Sequence, residues 1–218
     1  MENKLKIALT FSGGGYRAAT FHLGALSYLH TVNIGESTLL EQVVAMSTIS
    51  GGTITGLRYM LGLTRGESVD EVFKDLYHFF TEIDLATIAM DNLSSYEEGQ
   101  CASLIRTMAE IYNKELFKGA VLGDLMDKID DIHIGHFAAN ATDFTNGLAF
   151  RFQATENTGV KPGNTAGYGI VGNNKIRIPR EVAKHIRLSE ILACSSCFPS
   201  GFEPLVFPRI LYWVIRKK

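Results

Sequence analysis

The sequence contains few cysteines, little net charge and no long apolar run. Its three cysteines, with Cys101 isolated from the other two, do not form the framework of a disulfide-stabilised secreted protein. The 21 basic and 23 acidic residues leave a net charge of -2, which gives no electrostatic basis for nucleic acid as a partner. No stretch approaches the roughly 20 apolar residues of a membrane-spanning helix. The first apolar run ends at Ser12, too soon for a signal peptide. A soluble, cytoplasmic protein is expected.

The composition, with 46% hydrophobic and 20% charged residues, is typical of a folded globular protein. The length of 218 residues suits one domain with an insertion. We therefore expect a single domain over residues 1–218.

The first strong pattern is a glycine-rich turn between a predicted strand and a predicted helix. Lys6 to Phe11 is apolar enough for a central parallel strand, and Tyr16 to Val32 has helical periodicity. The turn between them reads Ser12-Gly13-Gly14-Gly15. Exposed backbone N–H groups beside a helix N-terminus bind anions, which predicts a site for a phosphate or for a transient oxyanion.

A dinucleotide site is one alternative for this turn, because Gly13-x-Gly15-x-x-Ala18 partly matches the nucleotide fingerprint. That fingerprint requires an acidic residue at the end of the next strand to hold the ribose. The next predicted strand, Gln42 to Ile49, ends in Ser50 instead. An anion hole beside a nucleophilic serine explains both stretches better.

The second pattern is a sharp strand-to-helix turn at Ser50. The apolar run from Val43 to Ile49 leads into this serine, and a helical run from Thr53 to Leu63 follows. Gly52 supplies the small residue that such an elbow needs after its nucleophile, whereas Thr48 stands where the usual pattern has glycine. Ser50 is the candidate nucleophile; a turn without chemistry is the alternative.

We predict a mostly helical insertion in the middle of the chain, over about residues 67–130. It either covers the mouth of the active site or serves as scaffold. A capping box at Ser68 to Glu71 starts one helix, which runs to about Ile83. Residues 84–100 are interpreted as irregular, and residues 101–117 and 122–129 as helical. Later, strands at 132–143 and 148–155 form a predicted hairpin, and 179–186 and 188–197 form two short helices.

Two smaller features are interpreted as structural. On the first predicted helix one face is expected to pack on the sheet, formed by Ala18, Phe21, Ala25, Leu26 and Leu29. The pair Cys194-x-x-Cys197 is expected to pack near the elbow, because two cysteines cannot complete a zinc site and no histidine stands nearby. No metal or cofactor is expected.

Three stretches together resemble the patatin-like phospholipase family. They are Ser12 to Ala18, Ser47 to Thr53, and the run from Leu188 to Pro204 with its Phe-Pro turn. The resemblance implies a three-layer α/β/α fold with a mostly parallel central sheet. It also implies a lipid acyl hydrolase that works through an acyl-enzyme on a Ser–Asp dyad, with a lipid or acyl-ester substrate.

The resemblance also assigns roles to residues of the first two motifs. Ser50 is implied as the nucleophile, and the amides of Gly13, Gly14 and Gly15 as the oxyanion hole. Arg17 is expected to brace the loop, or else to approach an anionic head group. The family's acid lies in a later Asp-Gly motif, so Asp143 is not expected to serve as the dyad acid.

The family's acid has no counterpart in this sequence, which contains no Asp-Gly pair. We therefore expect a truncated or frame-shifted member, a diverged member or one that uses another base, and a chain that is weak or inactive as an esterase. A non-catalytic protein that binds lipid or a protein partner is the alternative. The last ten residues, Arg209 to Lys218, combine six apolar residues with a basic end. This tail predicts either a strand or a transient contact with an anionic membrane surface.

Overall fold

The computed structural model describes residues 5–94, 103–156, 170–199 and 201–206. Short apolar runs become strands, and the longer periodic runs become helices. The strands are β1 (Ile7–Phe11), β2 (Asn33–Ile34), β3 (Ser37–Thr38), β4 (Val43–Ile49), β5 (His136–Asp143), β6 (Leu148–Thr155), β7 (Val171–Gly172) and β8 (Arg177–Ile178). The α-helices are α1 (Gly15–Thr31), α2 (Gly51–Arg65), α3 (Val69–Glu82), α4 (Leu85–Ser94), α5 (Leu104–Tyr112), α6 (Leu122–Met126), α7 (Arg180–Ala183) and α8 (Leu188–Ser196).

A mixed six-stranded sheet organises the fold, in the order β1-β4-β5-β6-β7-β8. Parallel pairing joins β1 to β4 and β4 to β5, whereas β5 to β8 pair antiparallel. In the register, Phe11 lies beside Thr48, and Ile49 lies beside Asn140. The glycine-rich turn and Ser50 therefore leave the sheet at the same edge, since carboxyl ends of parallel strands coincide. The predicted α/β class is confirmed, with a sheet that is only partly parallel.

Helix α2 is buried along most of its length, from Gly51 to Gly62. A helix that buries residues on all its faces belongs to the core rather than to the surface. Arg58, the charged residue in this buried run, reaches Glu67 at 2.6 Å and Asp75 at 2.7 Å. These two ion pairs connect α2 to the turn that precedes α3 and to the middle of α3.

The predicted helical insertion packs into the same core as the sheet. Leu76 and Phe79 of α3, Tyr112 of α5 and Leu125 of α6 are almost completely buried there. The predicted capping box at the start of α3 is confirmed, because Ser68 Oγ accepts from Glu71 N–H and the Glu71 carboxylate accepts from Ser68 N–H. A π-helical turn, Asn113–Phe117, extends α5.

Three sequence predictions of this region and its neighbours need correction. Residues 85–94 form helix α4 rather than an irregular stretch; Asp84 receives hydrogen bonds from Thr87 N–H and Oγ1 and so begins the helix. Phe21 is 72% exposed, because α1 turns Ala19, His22, Leu23 and Leu26 inward. The strand predicted from residue 132 begins only at His136.

The predicted hairpin is confirmed, with β5 and β6 paired from His136–Thr155 to Asp143–Leu148. The two short C-terminal helices are confirmed as α7 and α8. The predicted tail, residues 209–218, and Cys101 lie outside the described residues. In the part of the chain that the structure describes, no helix has the length and apolar character to cross a membrane.

Candidate active site

Ser50 occupies the sharp turn between β4 and α2 in a strained backbone conformation. Its φ is 52° and its ψ is -124°, and α2 begins at the next residue. A positive φ is uncommon for a residue with a side chain and costs about 1–3 kcal/mol. Among the described residues, Lys118 is the other non-glycine residue with positive φ. The surrounding contacts must therefore hold Ser50 in place.

Glycine is required after Ser50 because two backbones meet there. A Cβ on Gly52 would lie 2.5 Å from the carbonyl oxygen of Phe11, at the end of β1. A Cβ on Gly51 would overlap the carbonyl oxygen of Gly15. Both atoms belong to the backbone and cannot swing aside, so the elbow and the glycine-rich turn touch directly.

Thr48 fits where the usual elbow has glycine because its hydroxyl group has partners. Thr48 Oγ1 donates to the carbonyl oxygen of Ala138 at 3.4 Å and lies 3.1 Å from Thr53 Oγ1. Its methyl group is accommodated by Gly56, where a Cβ would lie 2.5 Å from Thr48 Cγ2. A glycine on the helix thus compensates for the missing glycine on the strand.

The glycine-rich turn lies against Ser50. A Cβ on Gly13 would lie 3.2 Å from Ser50 Cβ. Gly14 has φ 140° and Gly15 has φ 60°, conformations that favour glycine. Within the described residues, the N–H groups of Gly13 and Gly14 donate to no other group, and α1 has no side-chain cap. The turn therefore presents free N–H donors, with the N-terminus of α1 behind them, next to the candidate nucleophile.

His22 supports the glycine-rich turn from α1. Its Nε2 lies 3.0 Å from the carbonyl oxygen of Ser12, and its ring stacks on Phe11 with 4.4 Å between the ring centroids. Because the Ser12 carbonyl can only accept, Nε2 donates. Sequence reasoning missed this residue, since an isolated histidine on a helix carries no local signal of its partner.

Ser195 of α8 holds the backbone of the elbow. Ser50 N–H donates to Ser195 Oγ at 2.8 Å, and Ser195 Oγ donates to the Asn140 carbonyl oxygen at 2.7 Å. Thr53 Oγ1 lies 2.8 Å from the same hydroxyl oxygen. One buried hydroxyl group thus ties the strained residue to β5 and to the first turn of α2. Ser195 belongs to the third family-like stretch, which was the available signal for it.

Asn140, at the elbow end of β5, fixes the neighbouring strand. Its Nδ2 donates to Ser47 Oγ and to the Thr48 carbonyl oxygen, each at 2.9 Å. These hydrogen bonds join the last residues of β4 to the neighbouring strand β5. We call residues 12–15, 48–53, 140 and 195 the elbow region.

A general base for Ser50 is absent from the described residues, because Ser50 Oγ has no hydrogen-bond partner among residues 5–94, 103–156, 170–199 and 201–206. Asp143, three residues beyond Asn140, is engaged elsewhere: Asn146 Nδ2 and Asn173 Nδ2 donate to its Oδ2 at 2.6 and 3.0 Å. Burial acts to raise the pKa of Asp143, but these hydrogen bonds outweigh it and hold the pKa below its usual value.

Arg17 lies in the first turn of α1, directly after the glycine-rich turn, and its side chain is exposed. No described acidic residue forms an ion pair with it. The predicted bracing of the loop therefore has no contact to support it in the described part of the chain. The guanidinium group remains available to an anionic group near the N-terminus of α1.

A cavity of about 660 Å³ lies among residues of the helices α3, α4 and α5 and of the turn between α3 and α4. Most of its lining is aromatic or aliphatic, including Phe80, Leu85, Ala89, Leu104, Met108 and Phe202. Tyr16, which follows Gly15, also lines it. We call α3, α4 and α5 the helical wall.

The fold and the elbow region define an α/β protein with a serine at a strand–helix elbow, next to a glycine-rich turn. The sequence model of the patatin-like phospholipase family matches residues 9–213. The chain therefore belongs to the patatin-like phospholipase family, as its motifs predicted.

A solved structure with a similar fold is the human GIVD cytosolic phospholipase A2, determined with a methyl gamma-linolenyl fluorophosphonate inhibitor and terbium chloride. The TM-score is 0.57 and the sequence identity is 16%. The match covers 88% of this chain and 29% of the human chain, so this chain spans less than a third of the length of that protein. No curated protein matches the chain in sequence.

Proposed function

We propose that the chain is a serine acyl hydrolase that cleaves fatty-acyl esters of phospholipids or related lipids. The observation that carries the proposal is the geometry of Ser50, which combines a positive φ of 52° with a glycine-rich turn against its side chain. Membership of a phospholipase family supports a lipid substrate.

In the proposed reaction, Ser50 Oγ attacks the acyl carbonyl carbon and its proton passes to a base. The alcohol departs with a proton, leaving an acyl group on Ser50, and water then releases the fatty acid. The amides of Gly13, Gly14 and Gly15 stabilise the negative charge on the carbonyl oxygen at both stages. One such donor contributes about 10²- to 10³-fold to kcat in a comparable serine enzyme.

The rate of hydrolysis by this chain depends on the group that accepts the proton from Ser50 Oγ. A serine hydroxyl group is a weak nucleophile until a base accepts its proton. Loss of a triad member in a comparable serine enzyme lowers kcat by about 10⁴- to 10⁶-fold. Because the sequence has no Asp-Gly pair, we expect slow turnover unless another carboxylate replaces the family's acid.

Contact with a lipid surface is part of the proposal. Met90, which lines the cavity, and Phe198, which packs on Phe202 at 5.0 Å between ring centroids, are each 60% exposed. Apolar side chains exposed beside a binding cavity are typical of a surface that meets a lipid layer or a partner. Arg17 is a candidate for the anionic head group.

The test is covalent labelling by an alkyl fluorophosphonate, which phosphonylates an activated serine and releases fluoride. We expect the intact mass of the protein to increase by one alkylphosphonyl group. Ser50→Ala should not be labelled, whereas Ser27→Ala, on α1, should be labelled at the parental rate. Hydrolysis of p-nitrophenyl octanoate by the same proteins then measures turnover.

The non-catalytic alternative is favoured by the missing hydrogen bond at Ser50 Oγ within the described residues. It predicts neither labelling nor turnover, with the chain folded and lipid binding intact. Labelling of Ser50 without turnover would locate the defect in the base rather than in the elbow region.

A further inference from the structure

The central sheet has one buried face and one face that is largely exposed or half-buried, which we call the open face. Successive residues of a strand point to opposite faces. Phe150 and Phe152 of β6 are buried, whereas Arg151 between them is exposed. The same alternation runs through β4 and β5, whose last residues on the open face are half-buried or exposed: Ser47, Ile49, Ala138 and Asn140.

Two arginines project from the open face side by side. The register places Arg151 of β6 directly opposite Gly172 of β7, and Gly172 directly opposite Arg177 of β8. Directly opposite residues project from the same face of a sheet. Neighbouring strands are about 4.8 Å apart, so the Cα atoms of the two arginines are about 10 Å apart. Gly172 is buried and has no side chain, so β7 places no side chain between them.

Both arginine side chains are exposed, and no described acidic residue forms an ion pair or a hydrogen bond with either of them. Lys175, which is exposed in the turn between β7 and β8, adds a third positive charge. The carboxylates at the ends of β5 and β6 have other partners. Asp143 accepts hydrogen bonds from two asparagine amide groups, and Glu156 lies 3.5 Å from His136 Nε2. Within the described residues, the charge of the arginine pair is therefore not neutralised.

The charge and the spacing of the arginine pair suit a phosphate group. A guanidinium group donates two parallel N–H groups that match two oxygens of a phosphate. A phosphate monoester has enough oxygens for both arginines, and it carries nearly two negative charges at neutral pH. A carboxylate has two oxygens and one charge, which suits a single arginine. Two cations about 10 Å apart repel each other, and an anion between them attracts both.

We propose that Arg151 and Arg177 bind the phosphate group of a phosphate monoester on the open face of the sheet. The same row of side chains continues through Asn140, opposite Arg151, to Ile49, which is opposite Asn140 and directly precedes Ser50. Ile49 is two strands away from Arg151, or about 10 Å. The site is therefore near Ser50 but separate from the glycine-rich turn, and it does not depend on the reaction proposed above.

The experiment measures binding of the phosphate group in a soluble form and in a lipid form. Both arms use the Ser50→Ala protein, so that hydrolysis cannot consume the lipid. Isothermal titration calorimetry uses glycerol 3-phosphate, and vesicle flotation uses phosphatidylcholine with and without phosphatidic acid, which is a lipid phosphate monoester. We expect saturable binding in at least one arm. Binding of glycerol 3-phosphate would identify a soluble ester as a ligand, whereas binding only to vesicles with phosphatidic acid would identify a lipid head group. Absence of binding in both arms would overturn the proposal.

Substitution of each arginine locates the binding. Arg151→Gln and Arg177→Gln should each weaken it at least about tenfold, because each removes a charged hydrogen-bond donor. Both positions are exposed, so Tm should remain that of the parent. Arg65→Gln, at an exposed position at the end of α2, is the matched control and should bind as the parent does. Parental affinity in Arg151→Gln or Arg177→Gln, or an equal loss in Arg65→Gln, would overturn the proposal.

Discussion

The elbow region and the helical wall are built from different kinds of contact. In the elbow region backbone meets backbone, as at Gly52 and Phe11, and hydrogen bonds of 2.8 and 2.7 Å join Ser50 to Ser195 and Ser195 to Asn140. In the helical wall side chains meet side chains, and an apolar cavity remains between them. The difference teaches that close backbone contacts leave the elbow region no room for change, whereas side-chain packing leaves space within the helical wall.

We expect the largest effect from Gly51→Ala, which adds an atom to the elbow region where two backbone segments touch. The new Cβ would overlap the backbone oxygen of Gly15, which cannot rotate away. We expect a loss of about 3 kcal/mol or more in the free energy of unfolding, at the upper end for overpacking. Urea unfolding followed by circular dichroism measures it.

Gly24→Ala is the matched control for this prediction. Gly24 lies within α1, and no atom outside the helix lies within 4 Å of an added Cβ. We expect a gain of about 0.5–1 kcal/mol, because alanine is the better helix former. Similar changes in the two variants would contradict the claim that backbone contact defines the elbow region.

Ser195→Ala should weaken the elbow region without introducing a clash. The Ser50 N–H then loses its acceptor and becomes a buried unpaired donor, which costs about 1–3 kcal/mol. We also expect slower labelling of Ser50 by the alkyl fluorophosphonate. Ser196→Ala, which changes the next hydroxyl group of α8, should leave the labelling rate unchanged. Parental labelling in Ser195→Ala would show that the elbow holds its conformation by other means.

Leu76→Met tests the tolerance of the helical wall. Leu76 is fully buried on α3, and methionine conserves its volume. We expect a loss below about 1.5 kcal/mol, since such exchanges are absorbed by side-chain repacking. Thermal unfolding measures this loss of stability. Leu76→Ala, which leaves an unfilled space, shows how much stability the site loses when the side chain is removed. A loss as large as that of Gly51→Ala would remove the distinction between the two regions.

We expect the smallest effect from a substitution of His133, which lies in neither the elbow region nor the helical wall. It lies half-buried with Nε2 3.5 Å from Tyr59 Oη, and burial lowers its pKa although the charge of Glu41 opposes the shift. The His133 side chain therefore binds a proton more readily in the unfolded chain than in the folded protein. Stability should fall as the pH decreases below the ordinary histidine pKa of about 6.5.

The measurement is Tm across about pH 5 to 8 for the parent and for His133→Gln. The variant should lose less stability at the acidic end than the parent. His30→Gln, at an exposed position, is the control and should follow the parent. A steeper acid loss in His133→Gln would reverse the sign of the argument.

The parts of the fold that sequence predicted are those encoded by neighbouring residues. The strand before Ser12, the elbow at Ser50, the capping box at Ser68 and the β5–β6 hairpin each depend on residue types within a few positions. Their chemistry is local, so their pattern is visible in the sequence. The catalytic roles of Ser50, of the glycine amides and of Arg17 remain predictions.

The parts that sequence did not predict depend on contacts between distant segments. Ser195 meets Ser50 across 145 residues, and His22 meets the Ser12 carbonyl only because α1 folds back along β1. The orientation of α1, which exposes Phe21, is determined by what α2 presents to it. The cavity likewise follows from the angles between α3, α4 and α5, which no spacing within one helix specifies.

The long connection between Ser50 and Ser195 has a consequence for how the chain folds. The β5–β6 hairpin joins residues close in sequence, whereas the β4–β5 pairing bridges about 90 residues and the Ser195 bond bridges 145. Contacts of large sequence separation form late, because the loop they close must first lose its conformational entropy. Ser50 would then become reactive towards a fluorophosphonate only in the final step of refolding. The time at which labelling begins would report when the native structure is complete.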